Sequence, residues 1–169
     1  MVAPTLTAFV CETLLAAAPR GLILNEDSDH FWYTRTPEDI TPEGIQAFVD
    51  QYAGTQVSHL FLCTNSMRTS FPSQAWDAMA DIDEVAAATA GDAFAKCAAN
   101  FRLMDERGLD AYSIWIDRCR EKGIWPWLTM RMNDVHDVNN INHPRHNAFW
   151  REHPEYWRVP DSDGGHWID

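Results

Sequence analysis

Five polar residues, Arg131, Asn133, Asp134, His136 and Asp137, crowd together directly after an apolar run from Ile124 to Met130. An imidazole two residues from a carboxylate is a proton-transfer pair, because a carboxylate fixes the ring and moves its titration. Asp134 and His136 are therefore the candidate catalytic residues. His136 either shares a proton with a ligand or orients Asp134. The alternative is that Asp134 only accepts backbone N–H groups in an Asn-Asp turn, a routine task for this residue type. Arg131 stands between Met130 and Met132. A guanidinium in such apolar company needs an acidic partner, so its role is structural or is to hold a ligand carboxylate.

An apolar run of this kind suits a strand buried on both faces, as in a parallel sheet covered by helices. The polar cluster then lies where the strand emerges, the end at which open α/β sheets and barrels bind ligands. Two earlier stretches have the same form. Gly21 to Asn25 reads as a short strand running into Glu26-Asp-Ser-Asp-His-Phe-Trp32, and Val57 to Cys63 as a strand opening into Thr64-Asn-Ser-Met-Arg-Thr-Ser-Phe-Pro72.

Helical signals fill the intervals. Thr41 and Pro42 suit an N-cap and first position, Ile45, Phe48, Val49 and Tyr52 share one face, and Gly54 is a C-cap. From about Trp76 to Arg107 the pattern is helical with a break near Gly91, and Phe94, Ala98 and Phe101 form its buried stripe. Asp77, Asp81, Asp83 and Glu84 lack the alternation and central Gly of a calcium loop and read as a solvated helix face. Gly108 ends that helix. Asp110 caps the next, which runs to Lys122, stops at Gly123 and turns Ala111, Ile114, Trp115 and Cys119 inward. The order β-α-β-α-α-β predicts an α/β fold with parallel strands and right-handed crossovers. Residues 1–20 are hard to place, and 21–169 read as one domain. Within it 138–169 is a long loop region with one or two helical turns between Asn147 and His153, and so long a segment is usually functional.

The chain has 169 residues and is 46% hydrophobic, a globular composition. Its formal net charge of -12 argues against a nucleic-acid backbone or an anionic membrane as partner. No stretch is apolar for long enough to span a bilayer. Ala3 to Pro19 is apolar-rich but lacks a basic leader and carries Glu12, so a cytoplasmic location is preferred. The four cysteines, Cys11, Cys63, Cys97 and Cys119, form no CxxC pair and read as buried thiols. His143 and His146 have HxxH spacing, but Pro144 disfavours a regular helix there. They read as surface or hydrogen-bonding groups, and neither a metal nor another cofactor is expected. Neither a Gly-rich phosphate loop nor a Gly-x-Ser-x-Gly elbow occurs.

Taken as a set, Asn25-Glu-Asp-Ser-Asp29, Phe61-Leu-Cys-Thr-Asn-Ser-Met67, Pro126-Trp-Leu-Thr-Met-Arg-Met-Asn-Asp-Val-His136 and Phe149-Trp-Arg-Glu-His-Pro-Glu155 resemble a family. It comprises bacterial glycoside hydrolase-like (β/α)8-barrel proteins, largely uncharacterised. The resemblance runs from Gly21 to Asp169. It implies the N-terminal β/α units of a TIM-type barrel and a carbohydrate-related role, with the sugar site at the C-terminal ends of the strands.

Glycoside hydrolysis needs two carboxyl groups with opposed protonation states. Barrel glycosidases commonly carry that pair on later strands. A barrel typically needs about 250 residues, so this chain is expected to be an incomplete barrel that is inactive alone. Asp27, Asp29 and Asp134 are the carboxylates best placed at strand ends. Asn25, Asn65, Ser66 and Asn133 suit sugar hydroxyls, and Trp32, Trp150 and Trp157 offer flat faces for sugar rings. Each Trp alone reads rather as core or subdomain packing, and it is their joint occurrence in three polar strand-end segments that points to binding. The expected partner is an oligo- or polysaccharide. The competing expectations are a non-catalytic carbohydrate-binding protein and a metal-dependent hydrolase on a barrel scaffold.

Overall fold

A computed structural model describes residues 20–27, 29–132 and 134–157. Cys11, Asn133, His166 and the segments 1–19 and 158–169 lie outside the described residues.

Three parallel strands form the central sheet: β1 (Leu22–Glu26), β2 (Val57–Cys63) and β5 (Trp125–Thr129), in the spatial order β1-β2-β5. A two-residue hairpin, β3 (Asn65–Ser66) and β4 (Arg68–Thr69), follows β2. The helices are α1 (His30–Thr34), α2 (Pro42–Asp50), α3 (Glu84–Thr89), α4 (Asp92–Glu106), α5 (Ala111–Glu121) and α6 (Ala148–Glu152). The alternation of apolar strands with capped helices thus gives the expected α/β arrangement with parallel pairing.

The caps explain the helix starts. Thr41 Oγ1 accepts from Gly44 N at 3.1 Å and opens α2, and Asp110 accepts from Ser113 N at 3.1 Å and opens α5. Asp83 accepts from Val85 N and Ala86 N and opens α3. The acidic cluster is therefore not a solvated helix face. Asp81 likewise caps a single 3-10 turn at Met79–Asp81 by accepting from Ala78 N, and Asp77 accepts from Ala148 N at 2.5 Å. These competing side-chain acceptors hold the backbone of 76–83 out of the helix that composition suggests. Gly91, at φ 100°, then makes the break between α3 and α4. At the end of α2 the cap residue is Gln51, and Gly54 occupies the turn beyond it at φ 73°.

All the covering helices pack on one face of the sheet. Leu60 and Leu62 of β2 point into them, against Phe48 and Val49 of α2, Phe101 of α4 and Trp115 of α5. Trp32 is the centre of this core. It is 0% exposed, stacks on Phe101 at 4.1 Å and meets Trp115 edge-on at 5.4 Å. Its carbonyl accepts from Asn100 Nδ2, a buried amide that also binds Arg35 O and so ties α4 to α1.

The opposite face carries Ile23, Asn25, His59, Phe61, Trp125, Trp127 and Thr129, and among the described residues no helix lies against it. Trp127 is 46% exposed, and on the helix side of the same edge strand Leu128 is 55% exposed. The expectation that β5 is buried on both faces is thus corrected. The run is apolar throughout, but among the described residues β5 is an edge strand with a single neighbour.

Candidate functional site

The carboxyl ends of the three strands bring one chain of charged groups together. Arg131, two residues beyond β5, donates from Nη2 to Asp27 Oδ2 at 2.5 Å, beyond β1. Its Nη1 lies 3.6 Å from Asp134 Oδ2. Asp134 in turn accepts from His136 N at 2.9 Å, and its Oδ1 lies 2.5 Å from His136 Nδ1. One layer below, Thr129 Oγ1 donates to Asn25 Oδ1 at 3.3 Å. Of the expected site residues, Asn25, Asp27, Arg131, Asp134 and His136 thus converge.

Their electrostatics follow from these contacts. The Asp134 side chain is 4% exposed. Burial alone raises its pKa, but the bonds from His136 and the charge of Arg131 outweigh it and hold the carboxyl below its ordinary value. The same bond to Asp134 raises His136 above the ordinary imidazole value, with burial opposing. Arg131 is raised as well: burial works against its charge, and Asp27 and Asp134 more than compensate. A carboxylate can only accept, so Nδ1 of His136 carries a proton and the neutral ring presents Nε2 as its basic atom. His136 is exposed enough to offer Nε2 to a ligand. Asp134 is not, because its second oxygen also accepts from Met67 N at 3.1 Å. The two candidate catalytic residues therefore divide: Asp134 orients, and His136 is the group able to exchange a proton.

Several expected ligand contacts are internal bonds instead. Asn65 uses both ends of its amide on the backbone of Arg131, accepting from N at 2.8 Å and donating to O at 2.9 Å. Ser66 is fully buried and accepts from Arg145 Nη1 at 2.6 Å. Asp29 pairs with the same guanidinium at 2.5 Å. Of the three tryptophans, Trp32 and Trp150 take the packing role that each suggested singly, and Trp157 is half-buried. Trp32 lies in the helix core, and Trp150 is buried with its ring stacked on His146 at 3.8 Å. Trp157 stacks on Trp150 and donates from Nε1 to its carbonyl at 2.8 Å. Large aromatic rings beside a strand end serve the core whenever an adjacent helix turns them inward.

Arg145 is the residue that sequence reasoning missed. It is 5% exposed and donates to Asp29, Ser66, Asp137 and Tyr33, with its guanidinium 5.0 Å from the centre of the Phe94 ring. Burial disfavours its charge, yet Asp29 beside it raises its pKa well above the ordinary value. The one available signal is that Arg145 is the sole cation between Arg131 and Arg151 in a strongly acidic chain. His143 and His146 hydrogen-bond within the same segment, as expected, but are buried and not on the surface. His146 Nε2 lies 3.0 Å from both Asp137 O and Asn140 O. Among the described residues no group of three or more His, Cys, Asp or Glu is placed to hold a metal ion. None of the described helices is long and apolar enough to cross a membrane.

No family model matches the chain, and no curated protein matches it. A cationic and a basic group flank an acidic one above a small polar layer, at the end of a parallel sheet. Such a surface can hold a polyhydroxylated ligand by hydrogen bonds and move a proton at one atom, Nε2 of His136.

A separate groove of about 480 Å³ lies on the helix side of β5, lined by Phe71, Phe101, Met104, Leu109, Ile116 and Leu128 among others. It is mainly apolar and contains none of the convergent charged residues.

Proposed function

We propose that this chain provides the first β/α units of a carbohydrate-active (β/α)8 barrel, glycoside hydrolase-like in its complete form. Its sugar site lies at the strand ends on Asn25, Asp27, Arg131 and His136. The observation that carries the site is the continuous chain Asp27–Arg131–Asp134–His136, which spans the sheet from β1 to β5. Carboxylate, guanidinium and imidazole groups together supply the acceptors and donors that neighbouring sugar hydroxyls require.

Barrel closure draws support from the stagger of two contacts. Through the ladder Asn25 is level with Phe61 and Trp127, yet its side chain meets Thr129, two residues further on. Asp27 and Arg131 repeat the same offset. Two residues over two strands is one per strand, the ratio in an eight-stranded barrel of shear 8. Side chains of alternate strands meeting over the strand between them is also how barrel interiors are layered. Among the described residues, the face without a helix, the unpaired outer edges of β1 and β5 and the groove beside Leu128 then correspond to the barrel interior, the seams for further strands and the seat of a further crossover helix.

A non-catalytic binding role is favoured over hydrolysis for the 169-residue chain by one fact: Asp134 spends both oxygens on Met67 and His136. Titrating isotope-labelled protein with xylobiose, cellobiose and maltose at millimolar concentration tests the site by NMR. Saturable shifts at His136 and the Asn25 side chain, with Asp27→Asn weakening them, are expected. If none of these sugars moves those resonances, the carbohydrate assignment falls.

A further inference from the structure

The tip of the β2 loop contributes no group to the proposed ligand surface, yet each of its residues bonds to a different part of the surroundings. Asn65 mimics one more residue of strand pairing: its amide binds both the N–H and the C=O of Arg131, beyond the last ladder pair of β2 with β5. Met67 sits at φ 62°, a left-handed conformation that a non-glycine residue adopts only when its surroundings demand it. Its N–H donates to Asp134 Oδ2 at 3.1 Å. Its carbonyl accepts from Asn147 Nδ2 at 2.6 Å and Trp76 Nε1 at 3.1 Å. From the other side Arg145 binds Ser66, while Arg68 donates to the carbonyls of Pro144, Arg145 and His146.

We propose that Asn65 and Met67 are the positioning residues of the strand-end site. Asn65 sets Arg131 by pairing with its backbone, and Met67 sets Asp134 through its left-handed N–H, so that His136 is held in one orientation. The inference deepens the site assignment above but does not require its ligand to be a sugar. Three observations carry it. Both Asn65 bonds are partly buried and of normal length, 2.8 and 2.9 Å, and together they satisfy the donor and the acceptor of one residue. The Met67 bond is the contact to Asp134 that comes from outside the 131–136 stretch. The unfavourable backbone of Met67 is fixed by partners on both sides, its N–H on Asp134 and its carbonyl on Asn147 and Trp76.

A merely structural loop and a positioning loop differ in what their loss does to His136. Its titration responds to Asp134, Arg131 and Arg145. We therefore measure the His136 imidazole by NMR against pH in the full 169-residue chain, for the parent, Asn65→Leu, Asn65→Asp and Met67→Gly. Tyr112→Phe serves as control, since it loses a buried hydrogen bond to Cys63 O at the end of β2, just before the loop, without touching Arg131 or Asp134. For Asn65→Leu the His136 midpoint is expected to drop towards the free value of about 6.5, with its signal broadened by exchange between orientations. Asn65→Asp keeps the acceptor for Arg131 N but loses the donor and adds a charge that itself acts on the imidazole, so it is read by exchange broadening of the His136 signal, expected between that of Asn65→Leu and the parent. It also reports if Asn65→Leu does not fold. Met67→Gly retains the parent midpoint, because glycine takes the left-handed conformation freely. Tyr112→Phe lowers the thermal midpoint and leaves His136 unmoved. An unchanged His136 titration in folded Asn65→Leu, an unbroadened His136 signal in Asn65→Asp, or a Tyr112→Phe shift as large as that of Asn65→Leu, overturns the proposal. Absence of sugar binding alongside the expected titration shifts would instead remove only the carbohydrate assignment.

Discussion

Arg145 and Asp29, 116 positions apart in the chain, form a buried ion pair with Nη1 at 2.5 Å from Oδ2. The pair fastens the segment after β5 to the loop after β1, and Ser66 brings the loop after β2 to the same guanidinium. One cation thus joins the three strand-end segments. Removing one member leaves the other charged and desolvated, so Arg145→Met should cost about 3–5 kcal/mol. The double variant Arg145→Met with Asp29→Leu should recover part of that loss, because the more buried of the two carboxylates that Arg145 pairs with is then gone. Urea unfolding of the two variants and the parent measures both. A double variant no better than the single one would show that the pair's worth lies in its further bonds to Asp137 and Tyr33.

Stability should fall on both sides of near-neutral pH. Burial holds His143 and His146 below the ordinary imidazole value. The unfolded chain therefore takes up protons that the folded one refuses, and stability declines as pH drops below about 6.5. Asp134, also lowered, adds stability above about 3.9 that is lost as pH falls through its folded pKa. His136 has the opposite sign. Its raised pKa contributes fully below about 6.5 and is lost as pH rises through the folded value. Thermal midpoints recorded between about pH 4 and pH 9 should trace this dome. His136→Gln should flatten the alkaline limb and, by removing the bond that helps to hold Asp134 low, also weaken the acid-side contribution of Asp134.

Trp32 should behave as a core residue and not as a ligand platform. Trp32→Ala is expected to destabilise by roughly 3–5 kcal/mol, since it empties the stack on Phe101. Trp32→Phe retains much of the packing and should leave sugar-induced shifts at His136 as they are. Loss of those shifts in a folded Trp32→Phe variant would place the ring back in the site.

The helix-free face gives a contrast within one sheet. Leu60→Ala, on the covered side, should cost about 2–5 kcal/mol. Ile23→Thr and Trp127→Ser, on the bare side, should change stability by no more than about 0.5 kcal/mol in the 169-residue chain. Chemical denaturation with sedimentation of the same samples checks this. Large losses coupled to a change in sedimentation would mean that the bare face is covered by association in solution.

Much of the fold was legible because its signals are local. Thr41-Pro42 and Asp110 cap helices wherever they occur, the periodic apolar positions of α2, α4 and α5 face inward, and the Val57–Cys63 strand is bounded by its own sequence. The misread stretch, 76–83, failed where side-chain acceptors competed with helical bonds, which composition does not register.

The sequence by itself determined that polar, charged residues follow each of three strands, and hence that Asn25, Asp27, Arg131, Asp134 and His136 stand at one end of a parallel sheet. Only the tertiary structure decided which of them are free to act. Hydrogen-bond partners and burial depend on residues more than a hundred positions away, as with Asn25 and Thr129, Asp27 and Arg131, or Asp29 and Arg145. Trp32 and Trp150 share their residue type with Trp127, and nothing local separates a ring turned into a core from one on an open face. That choice is made by which helix packs above it, a long-range property of the fold.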